Sequence, residues 1–561
     1  MITLSTHRVY AFLTFAAPFK AGLAPPLSGL IDAPPGPTVE NSNAEAGQDL
    51  DRPSPSRPDV WVPERLRPAI HDRYRDEPIL KACEQSVGGN YYVPLQRLVS
   101  GKLPARCKVY RLTERAQGIL RKGELYLKDV PAEERFLHSL AMTLTPKSAK
   151  RLHDQLHAGT DIPGTLFIEA PSGAGRKERR LTLPVRVAEF VAYHFATGRV
   201  VCQVGLEAVL PNGFPMTDVL LAELTDHVGR FAALGWIETP VKPDGAETGA
   251  PPQRLIEMEG FTIGTLVARL LFGAGGFSQR SFRTFTHAYA QVAADQPATT
   301  AKEIDQLANR LARQYTSDYA LTTDLAVAQK VADFDNVQHV LTREGGATVV
   351  DPRVDGEAVG FLERFLTEAL LPSYLPIAAL NLHQHAQLLD LSARSILATA
   401  DPEDIDDLID GRDEHGPVLE SVDRAWRDMQ EALALLRVRF RFVQISPVTM
   451  HNAFNTALRT CFGVDELEAV LSRDLAEISA RVQAIIARDS RARDERLERR
   501  YGWIPAVAAA FAAGVLALEF VSTFHAFNDD NDVSQTEWLS LIPVVVFMGV
   551  AFAFGIIQRR K

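Results

Sequence analysis

The chain has 561 residues, enough for several domains, and its mean hydropathy is near zero because a polar body is averaged with an apolar C-terminal part. The formal net charge of -10 gives no reason to expect a nucleic-acid partner. The four cysteines lie far apart without a Cys-x-x-Cys pair, which is typical of reduced core residues and argues against a structural zinc site.

The N-terminal segment, residues 1–60, ends in a Pro-rich linker. Residues 1–24 combine Arg8 with an apolar run and small residues, as a signal peptide does, but Lys20 interrupts the pattern. We interpret this stretch as a terminal strand or helix, or as a misassigned start, and not as an export signal. Residues 25–60 contain too much proline for a helix or a central strand.

Mixed strand and helix signals run through residues 61–354 and predict one or more cytoplasmic α/β (or α+β) domains. Residues 131–144 and 146–157 have the character of helices, since each opens on a proline suited to a first helical turn. Two β-rich runs within 185–209, separated by a Thr-Gly turn, predict a hairpin. Thr217 is placed to cap the helix that follows it.

Residues 355–500 change to almost pure helix and predict long antiparallel helices with a stalk. The first long segment is expected to break at Pro372 and Pro376, and no Pro or Gly interrupts residues 464–501. The stalk helix is therefore expected to continue directly into the C-terminal part of the chain. Its apolar positions step by four and three, as a helix–helix seam does: Leu471, Leu475, Ile478, Val482 and Ile485.

Two apolar runs, 501–527 and 539–557, are each long enough to cross a hydrocarbon core about 30 Å thick. They predict two transmembrane helices joined by an external loop, 528–538; the alternative is a buried helical hairpin of a soluble core. Arginines crowd residues 488–500 and a basic tail, 558–561, ends the chain, whereas the loop has no Lys or Arg. The positive-inside bias therefore predicts a multi-pass protein of the plasma or inner membrane with both termini cytoplasmic.

Glu519 lies inside the first apolar run, where a carboxylate is costly and usually faces a water-filled path or a partner. Leu516 and Ala512 share its helical face, and small residues on such a face allow close packing. Several copies around an axis would form an acidic ring that attracts cations. The alternative is that Glu519 reaches toward the outer surface or is protonated.

This arrangement resembles the CorA family of divalent cation transporters over about residues 330–561. The shared features are a cytoplasmic α/β domain, long antiparallel helices with an acidic tip, and a stalk that runs into the first of two C-terminal spans. Residues 439–458 are also similar to the helical region of CorA-like proteins. The family's Gly-Met-Asn motif is replaced by Ala526, Phe527 and Asn528, so only the Asn matches.

The resemblance implies a homopentamer in the lipid bilayer, with Mg²⁺ or another divalent cation (Co²⁺, Ni²⁺) as substrate and possible regulator, and no other cofactor. Asn528 would form an entry ring for hydrated Mg²⁺, or alternatively would only cap its helix. The loop carboxylates that would concentrate cations are Asp529, Asp530, Asp532 and Glu537.

The acidic tip offers a regulatory metal site by the same resemblance, since cytoplasmic carboxylates bind Mg²⁺ in that family. The alternative is a solvated, charged tip. The residues concerned are Glu403, Asp404, Asp406, Asp407 and Asp410. His383 and His385 are a further metal candidate, although two positions apart on a helix point in different directions.

Three functions follow from these observations. The first is a CorA-like cation channel or transporter, gated by its cytoplasmic domain and not an enzyme. The second is a ligand-operated membrane effector, in which the N-terminal domain senses an unknown cytosolic ligand and opens a poorly selective pore. The third is a tail-anchored scaffold or soluble enzyme that uses the two apolar runs only as an anchor.

Overall fold

The computed structural model groups the chain into two compact units: Met1–Ala393 with Ala432–Leu471, and Arg394–Glu431 with Ser472–Lys561. The linker 25–60, the acidic tip 401–415 and most of the two apolar runs lie outside the described residues. The described residues are 1–15, 79–102, 107–122, 136–156, 161–171, 177–230, 233–240, 253–272, 284–296, 300–316, 328–334, 336–353, 358–398, 416–501, 504, 508–509, 511–516, 519 and 549.

A large mixed sheet dominates the first unit, which confirms the predicted mixture of strands and helices. Its described strands are β1 (Thr3–Phe15), β2 (Leu80–Cys83), β3 (Cys107–Leu112), β4 (Phe136–Thr143), β5 (Phe167–Pro171), β6 (Lys177–Phe195), β7 (Val200–Ala208), β8 (Met216–Thr217), β9 (Ala233–Pro240), β10 (Arg254–Thr262), β11 (Phe285–Val292), β12 (Gln329–Phe334), β13 (Val337–Leu341) and β14 (Gly345–Val350). They are ordered β12-β13-β14-β11-β1-β7-β6-β4-β9-β10-β5, with β3 pairing a further stretch of β6. The N-terminal strand therefore lies at the centre of the sheet.

Helices connect and cover the strands. Those described are α1 (Val93–Val99), α2 (Glu114–Lys122), α3 (Pro146–Leu156), α4 (Asp218–Gly229), α5 (Ile263–Phe272), α6 (Ala301–Ala312), α7 (Ala358–Glu363), α8 (Leu375–Ala398), α9 (Gly416–Phe440), α10 (Thr449–Phe462) and α11 (Val464–Tyr501). Helix α11 has 38 residues without a break, as the absence of Pro and Gly predicts.

Two local predictions are confirmed, the hairpin of residues 185–209 and the Thr217 cap. Strands β6 and β7 form the predicted antiparallel hairpin, and Gly198 in its turn has φ +81°, a conformation that favours glycine. The hydroxyl of Thr217 accepts a hydrogen bond of 3.3 Å from the backbone N–H of Leu220 and so caps α4. Helix α6 begins with a capping box between Thr300 and Glu303.

The helix predicted over 131–144 is wrong for the residues that the structure describes, because 136–143 form strand β4. This strand pairs antiparallel with both β6 and β9. Leu140, Ala141 and Met142 are all buried, so successive side chains are covered on both faces of the sheet. Sheet neighbours therefore override a helix signal that depends on a proline outside the described residues.

The expected break at Pro372 is also wrong, since helical structure continues through it. Residues Leu366–Tyr374 form a π-helix that contains Pro372, and α8 follows immediately with Pro376 in its first turn. A π-helical turn accommodates a proline because the backbone there does not require the usual hydrogen bond at every residue.

The two faces of the sheet differ in chemistry. On one face Val9, Ala11 and Leu13 of β1 join the main apolar core together with α4 and α6. The opposite face carries aromatic and polar side chains, and helices α8 and α10 cover part of it: Phe195 of β6 stacks on His383, with ring centroids 3.9 Å apart. This second face positions the candidate site.

Candidate functional site

Three predicted pore residues lie in the described part of the chain. Ala512, Leu516 and Glu519 are helical and exposed, and their spacing of four and three places them on one helical face. Apolar side chains on the same stretch are exposed too, with Phe511 at 71% and Val515 at 48% of their surface. Among the described residues, no helix meets the length and hydropathy of a membrane span.

The remaining predicted site residues lie outside the described part of the chain. They are the entrance residues Ala526, Phe527 and Asn528, the loop carboxylates Asp529, Asp530, Asp532 and Glu537, and the tip carboxylates Glu403, Asp404, Asp406, Asp407 and Asp410. Within the described ranges, no group of three or more His, Cys, Asp or Glu side chains is arranged to hold a metal ion.

The two candidate histidines of α8 are packing residues. His383 lies between Phe195 and Phe440, and its Nε2 is 2.9 Å from the hydroxyl of Thr197. His385 stacks instead on Phe462, with ring centroids 5.2 Å apart. The two imidazoles therefore do not share a ligand position, and each packs against an aromatic ring.

A cluster of buried polar side chains occupies the second face of the sheet, and we call it the β1–β6 polar cluster. Several of its atoms are buried without a hydrogen-bond partner in the structure, which is unusual because buried polar groups are nearly always paired. These atoms are Arg8 Nε, Tyr10 Oη, Gln85 Oε1, Arg111 Nε, Glu189 Oε2, Tyr193 Oη, and Gln203 Oε1 and Nε2.

Strand register brings the cluster together. Gly205 of β7 is the register partner of both Tyr10 on β1 and Glu189 on β6. A Cβ at Gly205 would lie 2.8 Å from Cε1 of Tyr10, so the missing side chain lets the Tyr10 ring lie across β7 toward Glu189. In the next row, Val191 pairs with both Gln203 and Arg111.

The cluster has a partly exposed rim and a buried floor. Arg8, Arg111 and Glu189 are partly exposed and form the rim. The floor consists of Tyr10, Gln85, Tyr193 and Gln203, each at most 5% exposed. Arg8 lies near Tyr10 and Gln85 lies near Tyr193, but neither tyrosine hydroxyl has a hydrogen-bond partner in the structure.

Positive charge at the rim exceeds the nearby negative charge. The single carboxylate of Glu207 pairs with two guanidinium groups. It lies 3.2 Å from Arg8 and 2.8 Å from Arg186. Within the described part of the chain, Arg111 forms no salt bridge with a carboxylate. Burial raises the pKa of Glu189, and the charges of Arg111 and Arg8 offset only part of that shift.

The tyrosines of the floor remain neutral phenols. Burial, together with the nearby Glu189 carboxyl, raises the pKa of Tyr10 above its ordinary value, and burial does the same for Tyr193. Each hydroxyl is therefore available as donor or acceptor. With the amide of Gln203, the floor offers both kinds of hydrogen-bonding group within one small area of the sheet.

Sequence patterns do not indicate this cluster. Its members come from β1, β3, β6, β7 and the segment after β2, and only the strand order makes them neighbours. One signal was available: β6 and β7 read as sheet strands, yet each carries polar residues, Glu189 and Gln203, on the face that alternates with its apolar core positions.

Comparison with solved structures finds a distant likeness to a magnesium transporter. The CorA magnesium transporter from Methanocaldococcus jannaschii aligns with a TM-score of 0.17 and 11% identity, over 49% of this chain and 91% of that one. No protein-family model matches the sequence, and no curated protein matches it either. This likeness is too distant to assign the chain to a family.

Proposed function

We propose that the chain is a membrane protein that forms a pathway for divalent cations, with its mixed α/β unit in the cytoplasm. The observation that carries the proposal is the continuity of helix α11. It extends for 38 residues up to Tyr501, where the first apolar run begins. The described positions beyond it, including Ala512, Leu516 and Glu519, are helical as well.

Exposed apolar side chains support a membrane location for this stretch. Phe511, Val515 and Leu516 expose about half or more of their surfaces. A cluster of large apolar groups in water is unfavourable, whereas hydrocarbon accepts it without cost. The two apolar runs and the basic residues that flank them predict the same location, with both termini in the cytoplasm.

Glu519 supports conduction over simple anchoring. In five copies around an axis it would form an acidic ring, and Asn528 with Asp529, Asp530 and Asp532 would attract hydrated cations at the outer mouth. The protein is then a homopentameric transporter and not an enzyme. Mg²⁺, Co²⁺ or Ni²⁺ would be its substrate, and carboxylates of the acidic tip would be its regulatory ligands.

Ion flux through liposomes that contain the purified full-length chain tests the proposal. We expect uptake of Mg²⁺, Co²⁺ or Ni²⁺ down a potential, and Glu519→Gln should lower it roughly tenfold or more, equivalent to about 1.4 kcal/mol in the barrier. Glu498→Gln is the matched control, since Glu498 is an exposed carboxylate on α11 before the apolar run. Flux unchanged by Glu519→Gln would remove this residue from the pathway, and inserted protein without any flux would favour the tail-anchored scaffold or enzyme.

A second candidate function is a ligand-operated membrane effector. The β1–β6 polar cluster favours it, because buried polar groups without partners are rare and convergent polar groups are typical of ligand sites. Under this hypothesis the pore conducts only when a cytosolic ligand is present, and Na⁺ passes as readily as Mg²⁺. Flux that appears only after a cytosolic metabolite extract is added would select this function over a constitutive transporter.

A further inference from the structure

The β1–β6 polar cluster carries an inference about ligand chemistry. Its rim holds two guanidinium groups, Arg8 and Arg111, on opposite sides of Glu189: β1 and β7 lie on one side of β6, and β3 lies on the other. Both guanidinium charges act on the Glu189 carboxyl. A group placed near this carboxyl is therefore within the field of both arginines.

The unpaired groups of the cluster match an oxyanion better than a cation. The Nε–H groups of Arg8 and Arg111 are donors without acceptors, and the phenol groups of Tyr10 and Tyr193 can also donate. Guanidinium groups bind phosphate and carboxylate groups through paired N–H donors. Glu189 is the one carboxyl among the three rim side chains, and the two guanidinium groups outnumber it.

We propose that the β1–β6 polar cluster binds a small organic molecule through a phosphate or carboxylate group held between Arg8 and Arg111. The amide of Gln203 and the phenol groups of Tyr10 and Tyr193 then pair with polar atoms of the rest of the ligand. The floor atoms are covered in the present arrangement. Binding therefore requires the side chains that cover these atoms to rearrange.

This inference deepens the ligand-operated alternative, because it names the chemical class of the ligand. It does not depend on conduction, since binding is measured without flux. If a variant loses ligand binding but keeps normal flux, the ligand-site proposal fails and the proposed pore stands. If ligand binds but no flux is seen, the ligand site stands and the proposed pore fails.

The test is titration calorimetry on the full-length protein in detergent at pH 8, with AMP, succinate and inorganic phosphate as separate probes. We expect saturable binding of AMP or succinate that is tighter than binding of inorganic phosphate, because only the organic probes reach the floor. AMP in preference to succinate identifies a phosphorylated ligand, and the reverse identifies a carboxylate. Arg111→Gln should weaken binding about 10- to 100-fold, the usual effect of removing a charged hydrogen-bond donor.

Two variants keep the result interpretable. Arg97→Gln, at an exposed position of α1, makes the same change of charge outside the cluster and should bind as the unmodified protein does. Glu189→Gln removes a negative charge but preserves the shape of the side chain, so it should strengthen binding of an anion. Misfolding weakens binding, so a stronger affinity cannot come from misfolding. The proposal is overturned if no probe binds, or if Arg111→Gln and Glu189→Gln both bind with unmodified affinity.

Discussion

His383 illustrates how burial makes a single side chain sensitive to pH. It is fully buried between aromatic rings, and burial, with the nearby charge of Arg199, lowers its pKa to about 3 from 6.5. The unfolded chain therefore takes up a proton below pH 6.5 that the folded chain excludes. The free energy of unfolding should fall by about 1.4 kcal/mol per pH unit from this residue alone between those two values.

We expect His383→Phe to make the decline of stability between pH 6 and pH 4 shallower by roughly that amount. The Phe ring preserves the stacking on Phe195 and loses only the hydrogen bond to Thr197. Denaturant titrations over this pH range measure the effect, and His153→Phe, at a half-exposed position, controls for loss of an imidazole as such. If the decline of stability with pH is the same in both variants, His383 is protonated in the folded protein, and its pKa is not lowered.

Gly205 is a second residue whose role depends on close approach. A Cβ there would meet the Tyr10 ring at 2.8 Å and Cδ of Arg8 at 3.4 Å. Overpacking of this kind typically costs about 1–3 kcal/mol. Gly205→Ala should therefore lower the free energy of unfolding by that amount and displace Tyr10 from Glu189. Gly164→Ala, where a Cβ meets nothing within 4 Å, should change stability far less.

Among elements, helix α11 was the most predictable, because the absence of Pro and Gly and the four-and-three spacing of its apolar residues are both local helix signals. Strand β4 was not, since its pairing with β6 and β9 comes from residues distant in sequence. The same reason hid the candidate site. Tyr10 and Glu189 are 179 positions apart in number, and only their shared register with Gly205 makes them neighbours.

The seam of α11 gives a prediction at the scale of the element. Leu475 is 2% exposed, and its carbonyl accepts a hydrogen bond from Gln430 of α9. Trp426, also on α9, is buried as well. Leu475→Ala should lower the free energy of unfolding of this helix pair by about 2–5 kcal/mol. The matched control is Leu497→Ala on the exposed surface of the same helix. Equal effects of the two variants, measured by hydrogen exchange along α9 and α11, would contradict a buried seam.

At the scale of the whole molecule, the described residues divide into a folded mixed α/β unit and a C-terminal stretch with exposed apolar side chains. The first unit buries its apolar residues in its own core, as Val9, Val204 and Leu224 do. By contrast, the described residues from Ile504 to Leu516 leave large apolar groups exposed. Under the proposed function, a bilayer would cover these side chains.

Charged substitutions in this stretch test that division. An Asp at the centre of a spanning helix costs about 2.5–3.5 kcal/mol. The double variant Phe511→Asp/Val515→Asp should therefore be lost from the membrane fraction that resists alkaline extraction. The control is Val438→Asp/Val443→Asp, which changes two side chains that are 83% and 70% exposed but lie outside the apolar runs. Only the first variant should be released, because under the proposed function only its positions face lipid. Release of both variants, or of neither, would show that exposure at Phe511 and Val515 does not reflect contact with a bilayer.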